Sequence, residues 1–199
     1  MFDLPEGLPA ELVPLSWLIG VWEGTGVIDY EAGDHHYDGE FTHRVSFSHD
    51  GGAFLNYSAT AWLHDDDRRR PLVAEVGFWR LGIPATDADA GPGLLPALDA
   101  PRTRTADDIE GFRNADGGFD LEASIVHSDG VSELYLGRIK GPRIDIATDA
   151  VVRTAGAKPY AAASRMYGLV DGHLLWAWDI AALGRELGAH ASARLARAE

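Results

Sequence analysis

Histidine supplies the reactive side chains of this sequence. The 199-residue chain contains eight histidines and no cysteine, which excludes disulfides, thiolate metal sites, iron–sulfur clusters and cysteine nucleophiles. A neutral imidazole nitrogen is a common ligand of transition metals, and without thiolates any such metal would bind through these histidines. No nucleophile–base triad is recognisable. The chemistry open to the chain therefore depends on which histidine the fold places in a pocket.

Most of the histidines lie in contexts that are weak evidence for a site. His35, His36 and His43 are close in the chain, but they lack a fixed metal-ligand spacing and would lie on one loop and strand. Four others stand at or beside predicted turns, where a hairpin role or an exposed position is expected: His49, His64, His127 and His173. None of these seven positions is a strong metal motif by itself.

The charge balance makes several classes of partner unfavourable. Lys and Arg total 17 against 31 Asp and Glu, a formal net charge of −14, and such a surface repels nucleic-acid phosphates and anionic lipids. No apolar run approaches the ~18 residues that a membrane span needs, and the N-terminus lacks the basic start of a secretion signal. We therefore expect no nucleic-acid or membrane partner and a cytoplasmic location.

Short runs rich in Val, Ile, Phe, Tyr and Trp alternate with turn sequences along most of the chain. Large residues recur in them with a period of two, so that Leu174, Trp176 and Trp178, for example, share one face. The pattern predicts ten antiparallel strands, at 20–30, 39–48, 53–63, 71–81, 119–127, 131–139, 143–153, 160–170, 173–181 and 189–197. Closure into one up-and-down barrel, as in lipocalins and fatty-acid-binding proteins, removes exposed edges. The sequence therefore predicts an all-β barrel with room for a ligand cavity.

Three segments depart from this pattern. Residues 11–19 are typical of a short helix or 3₁₀ turn. Residues 84–108 are rich in Pro, Ala, Asp and Gly without a period, so we interpret about 84–113 as a surface insertion within a single domain that spans residues 1–199. Residues 182–198 have a helix-favouring composition, and propensity alone leaves helix or last strand open.

The sharpest local pattern is G-x-W-x-G-x-G at residues 20–26. It is not a dinucleotide-binding loop, because it lies within a strand pattern and no helix follows it. The glycines would let the first barrel strand bend, and Trp22 would close one end of the barrel. The pattern thus indicates a structural role.

Several motifs, in this order, resemble those of the nitrobindin family, which are haem-binding β-barrels related in architecture to fatty-acid-binding proteins. The heptad GVWEGTG is followed by RVSFSHDGGAFLNY (44–57), AEVGFWR (74–80) and SIVHSDGVSELYLG (124–137). The closing third is also similar, with Arg153-Thr154, Ala157-Lys158, Arg165-x-Tyr167 and His190-x-x-x-x-Leu195-x-Arg197. The resemblance covers almost the whole chain except 84–113.

The resemblance implies a ten-stranded barrel that holds one b-type haem at its open end. A single late histidine binds the iron in this family, and His190 occupies that position here. The resemblance also implies that the last segment is a strand. On a regular strand His190 would share a face with Ser192 and Arg194, opposite Ala191 and Ala193.

The activity implied by the resemblance is nitric oxide binding and, in the ferric state, isomerisation of peroxynitrite to nitrate, with His190 as the catalytic metal ligand. One strong ligand and one open coordination position suit a small diatomic molecule or an anion. The alternatives are a non-catalytic carrier of a fatty acid or other apolar ligand, and a degenerate barrel that has lost haem. A homodimer also remains open.

Two further expectations concern the haem pocket. The resemblance also implies that Arg165, at the position of an arginine in the family's R-x-[YF] strand, lies near the haem. The two propionates of a haem in so acidic a protein call for a local cation, and Arg165 is the first candidate, ahead of Lys158 and Arg153. The family's Tyr-Pro-Thr segment after the glycine heptad is missing. His35 or His36 could replace it as a distal haem contact, or both could lie in a solvated loop.

Overall fold

Ten antiparallel strands close into a barrel in the computed structural model, which describes residues 7–32, 34–65, 68–84 and 104–198. The strands are β1 (Gly20–Ala32), β2 (His35–Ser48), β3 (Leu55–Asp65), β4 (Arg68–Leu81), β5 (Phe119–His127), β6 (Val131–Lys140), β7 (Arg143–Arg153), β8 (Tyr160–Val170), β9 (His173–Ala182) and β10 (Gly188–Arg197). Each strand pairs with the next, and β1 pairs with β10. The predicted ten-stranded all-β barrel is confirmed.

Period-two alternation separates the barrel interior from its surface. Along β5 the buried positions begin at Phe119 and recur at every second residue to His127. The hairpin between β8 and β9 has positive φ at both Asp171 and Gly172, as a two-residue type I′ turn requires. Alternation and turn chemistry are thus sufficient to form this meander.

A 3₁₀ helix, Ala10–Leu18, closes one end of the barrel. Leu12, Leu15 and Leu18 are fully buried, and Trp22 Nε1 donates a hydrogen bond to the Leu18 carbonyl oxygen over 2.7 Å. The expected helical turn and the position of Trp22 at the closed end are therefore confirmed. The hairpins at the opposite end surround the open mouth.

The ambiguous C-terminal segment is a strand. β10 pairs with both β1 and β9, so the helix propensity of its residues is outweighed by backbone pairing on two sides. No helix among the described residues is long and apolar enough to span a membrane.

Part of the predicted insertion packs near the closed end. A short helix, α1 (Ala106–Glu110), buries Ile109, and Arg104 Nη1 lies 3.3 Å from Glu11 Oε1 of the 3₁₀ helix. Residues 85–103 of this segment lie outside the described residues.

The ladder between β7 and β8 stops part-way to the mouth. Their pairing runs only from Arg143–Gly168 to Ala147–Ser164. Beyond it, Thr148 Oγ1 accepts a hydrogen bond from the Ala163 N–H at 3.0 Å and donates one to the Ala163 carbonyl at 3.3 Å. The paired residues of β7 and β8 do not extend to 149–153 and 160–162.

Replacing Gly24 with alanine should destabilise the barrel. A Cβ at this position of β1 would lie 2.2 Å from the Arg194 carbonyl oxygen of β10, so the closing pair of strands would have to move apart. We expect a loss of about 1–3 kcal/mol in the free energy of unfolding, measured by urea denaturation. Gly156→Ala is the control, because a Cβ there meets no atom within 4 Å. Equal stability of the two variants would contradict this account.

Candidate functional site

A cavity of about 170 Å³ opens at the mouth of the barrel. Residues from the mouth ends of several strands and their connecting loops line it, and they include Tyr30, Leu72, Val131, Lys158, Trp178 and His190. A larger groove, of about 820 Å³, lies on the outer surface across β5–β9, and no histidine is among its lining residues. The cavity is therefore the better candidate for a site, because it combines concave apolar walls with a buried imidazole.

His190 reaches this cavity because of a β-bulge. Ala189 pairs with Asp179 and Ala191 with Trp178, so His190 is an extra residue in β10 without a partner of its own in β9. A bulge of this kind redirects a side chain. The expectation that His190 shares a face with Ser192 and Arg194 is wrong, since Ser192 and Arg194 are exposed and His190 lines the cavity.

Two aromatic rings hold the His190 imidazole. The Tyr30 ring lies 4.5 Å away, centroid to centroid, and the Trp178 ring lies 5.1 Å away in a perpendicular arrangement. The His190 Nδ1 atom is fully buried and has no hydrogen-bond partner among the described residues. Burial lowers the pKa of His190 from 6.5 to about 4. The imidazole is therefore neutral at physiological pH, which is the form that binds a metal.

A cluster of charged side chains forms the floor below the cavity. Arg165 binds Glu75 through two hydrogen bonds, of 2.7 and 3.1 Å, and Glu133 through one of 3.3 Å. His127 Nε2 lies 2.6 Å from Glu133 Oε2. We call these four residues the Arg165 cluster. Three tyrosines donate their hydroxyl protons to its carboxylates: Tyr57, Tyr135 and Tyr160.

Arg165 lies at a different place from the one expected. Its side chain is fully buried, and besides the two glutamates its Nε donates a hydrogen bond to the Tyr135 hydroxyl. The guanidinium group therefore already has hydrogen-bond partners inside the barrel, and this disagrees with the predicted contact to haem propionates. Of the two weaker candidates, Lys158 lines the cavity, while Arg153 donates a hydrogen bond to the Lys158 carbonyl.

His127 is a site residue that the turn-based interpretation missed. It is buried, lines the cavity and stacks on Trp178 with the rings 6.0 Å apart. Burial alone would lower its pKa, but the hydrogen bond to Glu133 and the charges of both glutamates outweigh burial and raise it. The signal was present in the sequence, because alternation from Phe119 places His127 on the inner face.

Of the two candidate distal histidines in the β1–β2 hairpin, the structure describes the side chain of His36. His36 is exposed on the outside of the hairpin, where its Nε2 bonds to Asp29 Oδ1 at 2.8 Å, and this bond raises its pKa. The side chain of His35 lies outside the described part of the structure. His43 is buried and stacks on Trp176. Among the described residues no group of three or more potential ligands could hold a metal ion.

Comparison with known proteins assigns the family. A family model described as "THAP4-like, heme-binding beta-barrel domain" matches residues 11–197. The chain belongs to this haem-binding barrel family. The resemblance to nitrobindins is confirmed in this form, and haem is the cofactor that the family description names.

Relatives of this haem-binding barrel match along nearly their full length. A protein of Leifsonia xyli subsp. xyli, named peroxynitrite isomerase, is 64% identical and all of both chains is covered. Proteins with the same name from Clavibacter michiganensis subsp. michiganensis and Pseudarthrobacter chlorophenolicus are 58% and 53% identical, with 100% and 98% of each chain covered. Rv2717c from M. tuberculosis superposes with a TM-score of 0.66 at 22% identity, covering 99% of this chain and 100% of its own, and supports the fold alone.

The residues of the cavity fit the haem of this family. A ligand of haem iron needs a neutral imidazole nitrogen that is not used in a hydrogen bond, and the partly buried His190 ring offers an Nδ1 atom without such a partner among the described residues. A porphyrin needs apolar walls, which Leu72, Val131 and Ile180 supply. The donor chemistry and the lining thus agree with the family assignment.

The Arg165 cluster should contribute strongly to stability. Glu75→Gln removes the bidentate carboxylate partner of Arg165 and leaves this buried charge with Glu133 alone. We expect a loss of about 3–5 kcal/mol in the free energy of unfolding at pH 7. The matched control is Glu122→Gln, which removes the partner of exposed Arg80 on neighbouring β4 and should cost less than about 1 kcal/mol.

The pH dependence follows from the pKa of Glu75. Burial would raise this pKa, but Arg165 and His127 lower it from 4.5 to about 2. The stabilisation is therefore present above pH 4.5 and is lost as pH falls towards 2. Denaturation curves of wild type and both variants at pH 7 and pH 3.5 check this, because the loss of unfolding free energy in Glu75→Gln should be smaller at pH 3.5. A Glu75→Gln loss no larger than that of Glu122→Gln would refute the role of the cluster.

Proposed function

We propose that this protein binds one b-type haem in the mouth cavity through His190, binds nitric oxide and, in the ferric state, isomerises peroxynitrite to nitrate. The observation that carries the proposal is the neutral, partly buried His190 imidazole that a bulge turns into the cavity, with its Nδ1 buried and without a hydrogen-bond partner among the described residues. Full-length relatives at 53–64% identity that are named peroxynitrite isomerase support the reaction.

Haem held here would supply an iron atom that can bind a small diatomic molecule or an anion. The chain's own residues would bind the haem and orient its histidine ligand. Tyr30 and Trp178 pack against the His190 ring and fix its direction. Arg165 lies 4.7 Å from the centre of the Trp178 ring, so we assign Arg165 a positioning role behind that ring. The reaction is an isomerisation and requires no acid–base pair from the protein.

The floor of the cavity disfavours the alternative of an apolar-ligand carrier. A fatty-acid tail would have to enter the barrel centre, where Glu75, Glu133, Arg165 and His127 are buried. Contact with a fatty-acid tail would separate these polar side chains from their hydrogen-bond partners without supplying new partners. A flat ligand that stays near the mouth meets Trp178 and His190 instead.

The remaining expectations extend this proposal to the whole chain. We propose that residues 1–199 form one domain with an insertion at about 84–113, which the continuous ring of ten strands supports. The cytoplasmic location, a homodimer and the absence of nucleic-acid and membrane partners stay predictions from sequence.

Removing the His190 imidazole should abolish specific haem binding. Titration of hemin into the wild-type protein should give a Soret shift with one-to-one stoichiometry, and His190→Ala should lose it while circular dichroism stays unchanged. His36→Ala is the control, because that exposed ring lies outside the cavity and its loss should leave the spectrum unchanged. A normal Soret band in His190→Ala would overturn the ligand assignment.

The reaction itself is tested on the loaded protein. Stopped-flow absorbance should show that the ferric wild-type protein accelerates peroxynitrite decay with nitrate as the product. His190→Ala should not accelerate it. Hemin binding without any acceleration would favour a carrier or sensor of nitric oxide.

Haem binding should tolerate mild acid. Because the pKa of His190 is about 4, its ring stays neutral well below 6.5, and hemin affinity should change less than about twofold between pH 7.5 and 5.5. An exposed histidine with a pKa of 6.5 would weaken binding by about tenfold over that range. Soret titrations at the two pH values make the comparison, with His36→Ala expected to follow wild type. A tenfold loss at pH 5.5 would contradict the burial of the ring.

A further inference from the structure

The imidazole of His127 lies between two buried carboxylates at the floor of the mouth cavity. Its Nε2 atom is 2.6 Å from Glu133 Oε2, and its Nδ1 atom is 3.8 Å from Glu75 Oε1. A neutral imidazole has one N–H group and one lone pair, so it would turn the lone pair towards one of the two carboxylates. Both nitrogens can face carboxylates without repulsion only when both carry a proton. The geometry around His127 therefore favours the imidazolium form.

We propose that His127 is a specificity-determining residue, whose positive charge makes the Arg165 cluster neutral and so allows an anion to bind at the haem. This inference rests on the proposed haem function and deepens it, because it concerns which ligands the ferric haem would accept. The reaction proposed above has an anion as its substrate and an anion as its product.

The charges of the Arg165 cluster cancel only if His127 carries one of them. Burial would raise the pKa of Glu75 and of Glu133, but hydrogen bonds and charges from Arg165 and His127 lower both pKa values, so both carboxylates are ionised at neutral pH. Arg165 supplies one positive charge, which leaves one of the two carboxylates uncompensated. An imidazolium at His127 supplies the second positive charge.

The other groups around the cavity do not replace this charge. Tyr160 donates a hydrogen bond to Glu133 from the cavity wall, but its hydroxyl group carries no charge. Among the described residues that line the cavity, the other Asp, Glu, Lys or Arg side chains are Asp129 and Lys158. Both are exposed and their charges are opposite, so solvent and mutual compensation weaken their effect inside the barrel. The buried cluster therefore dominates the charge below the cavity.

The cluster is close enough to His190 for its net charge to affect the site. The His127 ring stacks on Trp178 at 6.0 Å, and the Trp178 ring lies 5.1 Å from the His190 ring, centroid to centroid. Buried charges are screened little by salt. A unit charge about 10 Å from another, at an effective dielectric constant of about 20, changes an equilibrium by roughly tenfold. An uncompensated carboxylate would therefore disfavour an anion in this site and would leave a neutral ligand almost unaffected.

The first test measures the charge of His127 in the haem-free protein. Long-range ¹H–¹⁵N NMR spectra of the histidine rings at pH 7 should show protons on both nitrogens of His127. The His127→Gln variant assigns these signals, because they should be absent from its spectrum. A His127 ring that is mostly neutral at pH 7 would overturn the inference independently of any result with haem.

The second test compares an anionic with a neutral ligand on the hemin-loaded ferric protein. At pH 7, His127→Gln should bind azide roughly tenfold more weakly than wild type, while its affinity for nitric oxide should change less than about twofold. The matched control is His36→Gln, which removes an exposed imidazole that also pairs with a carboxylate, that of Asp29. This control should match wild type with both ligands. Soret absorbance titrations give the dissociation constants.

A compensating variant separates charge from structure. His127→Gln combined with Glu133→Gln removes one charge of each sign, so Arg165 and Glu75 remain as a neutral pair. Azide affinity of this double variant should return to within about twofold of wild type. A purely structural role of His127 predicts no recovery, because the double variant loses more native contacts than the single one. Circular dichroism and the Soret band before ligand addition check that each variant is folded and loaded.

The outcomes separate this inference from the proposed function. If wild type binds hemin and His127→Gln binds azide as wild type does, the haem function stands and His127 does not determine the preference for anions. Equal weakening of azide and nitric oxide binding, an equal loss in His36→Gln, or no recovery in the double variant would also overturn the inference. If wild type binds no hemin, the proposed function fails and this inference falls with it.

Discussion

The geometry of the mouth depends on a buried ion cluster. Arg165 on β8 joins Glu75 on β4 and Glu133 on β6 across the barrel, and His127 Nε2 lies 2.6 Å from the Glu133 carboxylate. Burying four ionisable groups is costly in solvation, and hydrophobic residues of similar size could fill the same space. The cluster does something that an apolar core would not do: it sets the depth of the cavity and holds a cation against the Trp178 ring. That ring in turn supports His190.

Two histidines that contact the same tryptophan have pKa values shifted in opposite directions. His190 meets mainly aromatic and apolar groups, so burial lowers its pKa. His127 lies at a similar depth but faces two carboxylates, which raise its pKa. Trp178 contacts both rings. Opposite environments therefore leave one ring free for a metal and bind the other into the ion cluster. The proposed metal ligand is thus the one of these two rings that no carboxylate holds.

The sequence predicted the barrel better than the directions of its side chains. Period-two alternation and turn sequences were enough for ten strands, because both signals are local. The bulge at His190 carries no such signal, since an extra residue is defined only against β9. Arg165 resembled a free charge because its partners Glu75 and Glu133 are 90 and 32 residues away in the chain. The inner position of His127, by contrast, follows from the alternation of β5 and could have been predicted.

The ion cluster also constrains how a ligand can lie in the barrel. Because charged groups occupy the centre, a ligand that reaches His190 must remain in the upper part of the barrel, with part of it near solvent. A cofactor with an apolar body and two carboxylates satisfies this condition only if its charged edge faces outwards. The exposed carboxylates of the β1–β2 hairpin, among them Asp29 and Asp38, would repel that edge on one side of the mouth.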